Sequence, residues 1–318
     1  MLRSLSVALL AVLANAASAQ PYPSQPVKMI SPWPPGGSVD ITARLIADPM
    51  ASALGGKIII ENRGGASGNI GMEAAARAKP DGYTIVINTI PLVTNVSLFD
   101  KLAWDPMRDF APIGMVSTSP HLLVVPPKSP AHSVAELLKL ARAHPGRLSY
   151  ASAGVGTTFH FCAEMFKDDT RTFILHVPYR GGGPALQDTL GAQVDMSFPN
   201  LAAALAHVKG GTLRALAITS QRRSTLLPEV PTLDEVGLKG FEFTQWQAVL
   251  APAGTPPEVI ARLNRALNSA IESKDLREKF QAQAMEPFIA TPEETRKFLA
   301  GELARYTRII KSRKITAE

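Results

Sequence analysis

Among the 318 residues there is a single cysteine, Cys162. That excludes an internal disulfide and any cysteine-built zinc or iron–sulfur centre. The six histidines, His121, His132, His144, His160, His176 and His207, include no H-x-x-x-H pair, so a metal site has no footing in the sequence. Nucleotide motifs are missing as well: no glycine-rich turn runs into G-K-[ST], and Gly154-Val-Gly156 meets Phe159 where the dinucleotide fingerprint requires glycine or alanine. Charged residues make up only 19% of the chain and the net charge of +6 is dispersed. The one basic run, Arg305, Arg308, Lys311, Arg313 and Lys314, falls at a helix end where cations suit the dipole, and Tyr306 alone is interleaved with it. It reads as a solvated helix end, and nucleic acid is set aside as a partner. No apolar run reaches the ~20 residues that a spanning helix needs.

What is present begins with a leader. Met1-Leu2-Arg3 is a short positive start, Leu5 to Leu13 is apolar, and Ala17-Ser18-Ala19 precedes Gln20 as a small-residue cleavage site. Residues 1–19 therefore read as a cleaved secretory signal peptide, and the mature chain as a soluble periplasmic protein of net charge +5 once Arg3 is gone. Three hundred residues are enough for two α/β lobes of roughly 150 residues each. Apolar, β-rich stretches at Val27–Ile30, Ile58–Ile60, Thr84–Ile87, His121–Val125, Leu148–Tyr150, Phe173–Val177 and Leu216–Thr219 alternate with helical periodicity at Asp40–Leu54, Asn69–Ala78, Val134–His144, Thr157–Phe166, Pro184–Leu190 and Leu201–Lys209. That alternation predicts a mainly parallel sheet with helices on its faces. Asp48-Pro49 should end or kink the first helix, and Thr255 and Thr291 should cap two amphipathic C-terminal helices, Pro257–Ile271 and Pro292–Ile310. If the proline-bounded pieces His121–Pro127 and Gln245–Gly254 are paired crossovers, residues 20–122 and 246–318 form one lobe and residues 123–245 an inserted second lobe, with a hinged cleft between them.

Three glycine-rich turns lead from a strand into a helix: Trp33-Pro-Pro-Gly36-Gly37-Ser38-Val-Asp40, Ala151-Ser152-Ala-Gly154-Val-Gly156-Thr157-Thr158, and Tyr179-Arg180-Gly181-Gly182-Gly183. Such turns let backbone N–H groups and a positive helix end face an anion. A carboxylate, which needs two or three donors and little room, suits them better than a nucleotide. Ser38, Thr157, Thr158, Tyr179 and Arg180 add side-chain donors, with Thr157 or Thr158 expected to cap its helix. Helix ends supply about 0.3–2 kcal/mol each, short of the ~8 kcal/mol of micromolar affinity, so direct hydrogen bonds, Arg180 and closure must add to them. Asp40 has two readings, a cap on the first helix or an acceptor for a ligand hydroxyl or amine. His160 reads as a neutral imidazole that is packed or bonded to ligand.

An enzyme is the competing class. Tyr150-Ala-Ser152-Ala-Gly154 resembles a nucleophile elbow with its first glycine replaced, and Asp195 and His207 follow Ser152 in triad order. The elbow requires small flanking residues, which Tyr150 is not, so a secreted serine hydrolase ranks second to a binding protein.

Eight ordered segments carry a family resemblance: Pro34-Pro-Gly-Gly-Ser-Val-Asp40, Glu61-Asn-Arg-Gly-Gly-Ala-Ser-Gly-Asn69, Asp81-Gly-Tyr83, Tyr150-Ala-Ser-Ala-Gly-Val-Gly156, Val177-Pro-Tyr-Arg-Gly181, Leu213-Arg-Ala-Leu-Ala217, Leu227-Pro-Glu-Val-Pro-Thr232 and Leu250-Ala-Pro-Ala-Gly-Thr255. Over 22–308 the chain resembles the Bug-type receptors, the substrate-binding components of tripartite tricarboxylate transporters. The resemblance implies an α/β, two-lobed, type II periplasmic-binding-protein fold with mixed, mainly parallel sheets. It implies a receptor that acts as a monomer, without cofactor or catalysis, delivering a small organic acid to transporter membrane components or to a sensor protein. It also implies that Gly36, Gly37, Ser38 and Asp40, with Gly156, Thr157 and Thr158, hold the ligand carboxylate while waters bridge its far end. Asn88, Thr89, Tyr179, Arg180 and Asp195 are implied to line the cleft. Trp33 and Phe159-His160-Phe161 depart from the family pattern in a way that bears on pocket size and ligand identity.

Overall fold

The computed structural model describes residues 22–313 together with 315 and 316; the leader at 1–19 lies outside the described residues. Two mixed sheets organise the chain. The first has six strands in the order β11 (Glu286–Pro287), β4 (Phe110–Pro120), β10 (Thr244–Pro252), β3 (Thr84–Asn88), β1 (Val27–Ser31) and β2 (Ile58–Asn62). The second has five, β7 (Leu175–Pro178), β6 (Ser149–Ser152), β8 (Met196–Ser197), β5 (Leu122–Val125) and β9 (Arg214–Ile218). β1 pairs in parallel with β2 and β3, and β6 with β7 and β8, the pattern of strands separated by helical crossovers. Antiparallel pairing enters where the chain changes sheet, β10 running against β4 from Thr244 opposite Pro120 to Pro252 opposite Phe110.

The helices are α1 (Ser38–Leu54), α2 (Asn69–Ala76), α3 (Pro91–Leu98), α4 (Val134–Ala143), α5 (Thr158–Thr170), α6 (Gly182–Leu190), α7 (Leu201–Lys209), α8 (Pro257–Glu272), α9 (Lys274–Ala282) and α10 (Pro292–Arg313). Strand alternation sends Val27, Met29, Ile85 and Ile87 to one face of the first sheet, against Ile46 and Met50 of α1 and Leu267 of α8. Ile30 and Val86 face the other side, in a core that continues through Trp246 and Tyr306 into Phe161 and Phe198 of the second unit. The ring of Tyr306 on α10 meets Phe161 on α5 edge-on at 5.3 Å, so the C-terminal helix packs against both sheets' helices.

Two expectations need correction. α1 does not end at Asp48-Pro49 but continues to Leu54, because Met50, Ala51 and Leu54 beyond the proline are buried and their packing outweighs the lost hydrogen bond. Thr255 does not cap α8: Pro256 holds that position, and the Thr255 hydroxyl donates to Pro252 O at 2.8 Å. Thr291 does cap α10, its Oγ1 accepting from Glu294 N–H while the Glu294 carboxylate accepts from Thr291 N–H. The strand Phe110–Pro120 and the helices Pro91–Leu98 and Lys274–Ala282 went unread in the sequence.

The chain passes between the sheets twice, at His121 and just before Thr244. Thr219 stitches the two crossings together: its Oγ1 accepts from His121 N–H at 2.8 Å and donates to Phe243 O at 2.6 Å, while its backbone bonds both residues at 3.0 Å.

Candidate functional site

Between the two sheets lies a cavity of about 320 Å³. Three uncapped helix starts that follow glycine turns open onto it, Gly36 to Val39 at α1, Thr157 to Phe159 at α5, and Gly182 with Gly183 at α6, beside Pro91 at the start of α3 and Ala202 with Ala203 at the start of α7. None of the three carries a side-chain cap. The first backbone bonds of these helices are donated by Ile41, Phe161 and Ala185, so the N–H groups of Ser38, Val39, Thr158, Phe159, Gly182 and Gly183 stand upstream of any intrahelical acceptor. α4, α7, α9 and α10 are capped by Ser133, Asn200, Ser273 and Thr291, whereas α2, α3 and α8 also lack a side-chain cap. Thr157 occupies the cap position of α5 without capping it, and its hydroxyl donates to Gly154 O at 2.6 Å.

Gln245, buried on β10, ties two of these helix starts together. Its Nε2 donates to Ser38 Oγ at 3.0 Å and its Oε1 accepts from Thr158 Oγ1 at 3.2 Å. With that bond accepted, the Ser38 hydroxyl proton is free to turn elsewhere. Thr89, also on the wall, is 4% exposed and its hydroxyl has no partner. Trp33 forms part of the wall and is oriented by Asn88, whose Oδ1 accepts from the indole N–H at 3.1 Å.

Residues 42–315 match the family described as tripartite tricarboxylate transporter family receptor. The chain belongs to this receptor family. The receptor is 40% identical to Protein BugT of Bordetella pertussis over 301 residues, 94% of this chain and 92% of BugT. Among solved structures it superimposes on the periplasmic binding protein BugD with a TM-score of 0.89 at 32% identity, covering 93% of this chain and 99% of that one. An R. palustris protein with adipate gives a TM-score of 0.90 at 34% identity, over 93% and 99% of the two chains. The α/β two-lobed periplasmic-binding-protein fold is thus established for the receptor.

Of the residues singled out in the sequence, Gly36, Gly37, Ser38, Thr89, Thr157 and Thr158 come together on the cavity wall of the receptor. Trp33, Phe159, Gly182, Gly183 and His207 also line it, whereas Asp40, Asn88, Gly156, Tyr179, Arg180 and Asp195 lie off it. Asp40 is buried behind the first turn, accepting from Gly36 N–H at 3.0 Å, Arg44 Nε at 3.0 Å and Asn62 Nδ2 at 2.8 Å. Burial raises its pKa, but those hydrogen bonds, led by Arg44, outweigh it and hold the carboxyl below its ordinary value. Asp40 therefore holds the loop as an anion. Gly156 N–H donates to His160 Nδ1 at 3.1 Å, and its carbonyl accepts from Thr94 Oγ1 at 2.9 Å, a contact between the two sheet units. Tyr179 is half-buried, and burial together with its hydrogen bond to Asp188 pushes the phenol up to about 12. Arg180 is exposed and outside the lining. Asp195 accepts from Ser149 N–H at 2.7 Å and Ser149 Oγ at 3.0 Å at the start of β6, whereas the cavity lies past that strand's other end.

The hydrolase reading fails on assembly. Ser152 is fully buried, and its Oγ lies 2.6 Å from His176 Nε2 while accepting Gly154 N–H. His207 is on the cavity wall with its Nδ1 3.2 Å from Thr212 Oγ1, and Asp195 holds Ser149, so the three never meet. The His176 ring is stacked between Tyr150 at 4.7 Å and His160 at 4.4 Å. Burial first, and the neighbouring His160 second, bring its pKa down to about 3. Gln245, Gly182, Gly183, Leu186 and Ala202 are wall residues that sequence reading missed as site residues. The two glycines were legible in the third turn, while Gln245 sat inside a stretch read only as a crossover.

Proposed function

We propose that this receptor captures a small organic carboxylate in the cavity between the sheets and closes on it without chemical change. The observation that carries the reading is the convergence of three uncapped helix N-termini on one cavity whose wall includes Ser38, Thr158 and the unpartnered Thr89 hydroxyl. The carboxylate would be held by the N–H groups upstream of the first intrahelical bonds and by the Ser38 hydroxyl, with Gln245 fixing the distance between the α1 and α5 starts. Asp40, Asn88 and Gly156 would position these groups and not touch the ligand. Arg180 is assigned no contact. Adipate in a 34%-identical neighbour supports the carboxylate class. The loaded receptor, exported by the leader at 1–19, would deliver its ligand to tripartite tricarboxylate transporter membrane components, with residues 20–122 and 246–318 moving against 123–245.

A thermal-shift screen of the purified protein against organic acids tests this. A true ligand at a hundred times its dissociation constant should add about 2.7 kcal/mol of stability. Small-angle scattering should show compaction with that acid, which should be recovered unaltered. A panel of acids without any stabilising member would defeat the reading.

A further inference from the structure

The geometry points to Thr94 as a latch between the two sheet units: its hydroxyl holds them in the arrangement that encloses the cavity, and so raises the affinity for every ligand of the site without touching one. The inference rests on the receptor reading above and adds to it a positioning residue that the cavity wall does not contain. Thr94 is fully buried in α3, one turn beyond Pro91, which is part of the wall, and lies outside the wall itself. Its Oγ1 donates to Gly156 O at 2.9 Å, from a helix of the first unit to the glycine turn ahead of α5 in the second. The same hydroxyl has a second acceptor, Ile90 O, at 3.3 Å in the preceding turn of its own helix. A threonine in a helix can return its proton to the i−4 carbonyl, so the donor is not stranded when the units part, and the Gly156 carbonyl then turns to water. Bringing the units together exchanges one satisfied state for another, with the modest net gain of a single buried hydrogen bond.

Both sides of this bond are held in place. On α3, Asn95 Nδ2 donates to Ser67 O at 3.0 Å and to Asn69 Oδ1 at 2.8 Å, and Ser97 Oγ lies 3.1 Å from Thr307 Oγ1 of α10, which ties the helix to its own unit. On the other side, Gly156 N–H donates to Nδ1 of the buried His160, so the turn is fixed to the helix that follows it. Asn95 Oδ1, buried without a partner, faces the same glycine, and only a bare backbone fits between it and Leu98. The Thr158–Gln245 bond also reaches from one unit to the start of the other, but it lies on the cavity wall, whereas neither Thr94 nor Gly156 does. A bond that no ligand atom meets favours the enclosed arrangement by the same factor whichever acid is bound.

Thr94→Ala and Thr94→Val remove the hydroxyl, whereas Thr94→Ser loses the methyl and keeps the donor. Circular dichroism checks folding, and either hydroxyl-free variant suffices if the other does not fold. Calorimetric titration with adipate, malate, citrate and benzoate reads the effect. Each acid that binds the wild type should bind the hydroxyl-free variants about three- to tenfold more weakly, by one common factor, and should bind Thr94→Ser within about twofold of wild type. Thr94→Ser as weak as Thr94→Ala would assign the loss to packing and overturn the latch. Wild-type affinity without the hydroxyl, or a ranking of the acids that changes with it, would overturn it too, and all three results leave the receptor reading standing. If none of the four acids binds the wild type, the receptor reading is what fails. The latch then rests on small-angle scattering of the ligand-free proteins, where Thr94→Ala should have a larger radius of gyration than Thr94→Ser and equal radii would end the proposal.

Discussion

His121, His160 and His176 share an environment that a histidine seldom tolerates. Burial lowers the pKa of His121 to about 3 and, with a smaller contribution from Lys167, that of His160 to about 4. His176 falls to about 3 from burial and its stacked neighbour. Both ring nitrogens of His121 lack partners, a cost of about 1–3 kcal/mol per group that the surrounding core has to offset. In the unfolded chain these imidazoles titrate near 6.5, so between that value and about 4 the unfolded state binds more protons. The stability they allow is complete above pH 6.5 and is lost as pH falls below it. Chemical denaturation at pH 7.5, 6.0 and 5.0 should show a progressive loss, up to about 1.4 kcal/mol per histidine for each unit below 6.5. His121→Phe should flatten part of that slope; an unchanged slope would mean His121 is not neutral in the fold.

At the scale of elements, the glycine turns hold the two sheet units together as much as they serve the cavity. Gly156 has φ +76°, and a Cβ there would stand 2.7 Å from Leu98 Cδ1 and 2.8 Å from Asn95 Oδ1 of α3. Gly181 has φ +121°, and its Cβ would meet the Pro34 ring at 3.0 Å. In both places an element of one unit approaches a turn of the other more closely than a side chain allows. Gly156→Ala and Gly181→Ala should therefore weaken affinity for the best acid, by about tenfold or more, because a side chain at either place strains the close approach of the two units that encloses the cavity. Titration of both variants, with circular dichroism to confirm folding, checks this; wild-type affinity in either would show that the contact does not belong to the bound state.

For the whole molecule, the two crossings meet at Thr219, whose hydroxyl serves His121 N–H and Phe243 O at once. Thr219→Val keeps the shape and removes both bonds, leaving a buried donor and acceptor unpaired. The expected cost is about 1–3 kcal/mol of global stability. The connection between the two sheet units should loosen as well, visible as a larger radius of gyration in the ligand-free protein. If stability and scattering both match wild type, Thr219 is not the clip between the crossings.

Much of this protein follows from local chemistry that the chain carries in plain order. Strand-to-helix alternation, glycines ahead of helix starts and the Thr291–Glu294 capping pair all act within a few residues, so the α/β class and the turns at 36–38, 157–158 and 182–183 could be read directly. Long-range packing decided the rest. Pro49 stays inside α1 because the residues after it are buried in the core, and Phe110–Pro120 becomes an 11-residue strand because β10 pairs along its length. Which polar groups face the cavity was likewise a tertiary outcome. Asp40 is claimed by Arg44 and Asn62, 4 and 22 residues away, and Gln245 reaches Ser38 across 207 residues of chain. A side chain's hydrogen-bond capacity is inherent in its type, but the partner that consumes it is set only when distant segments meet.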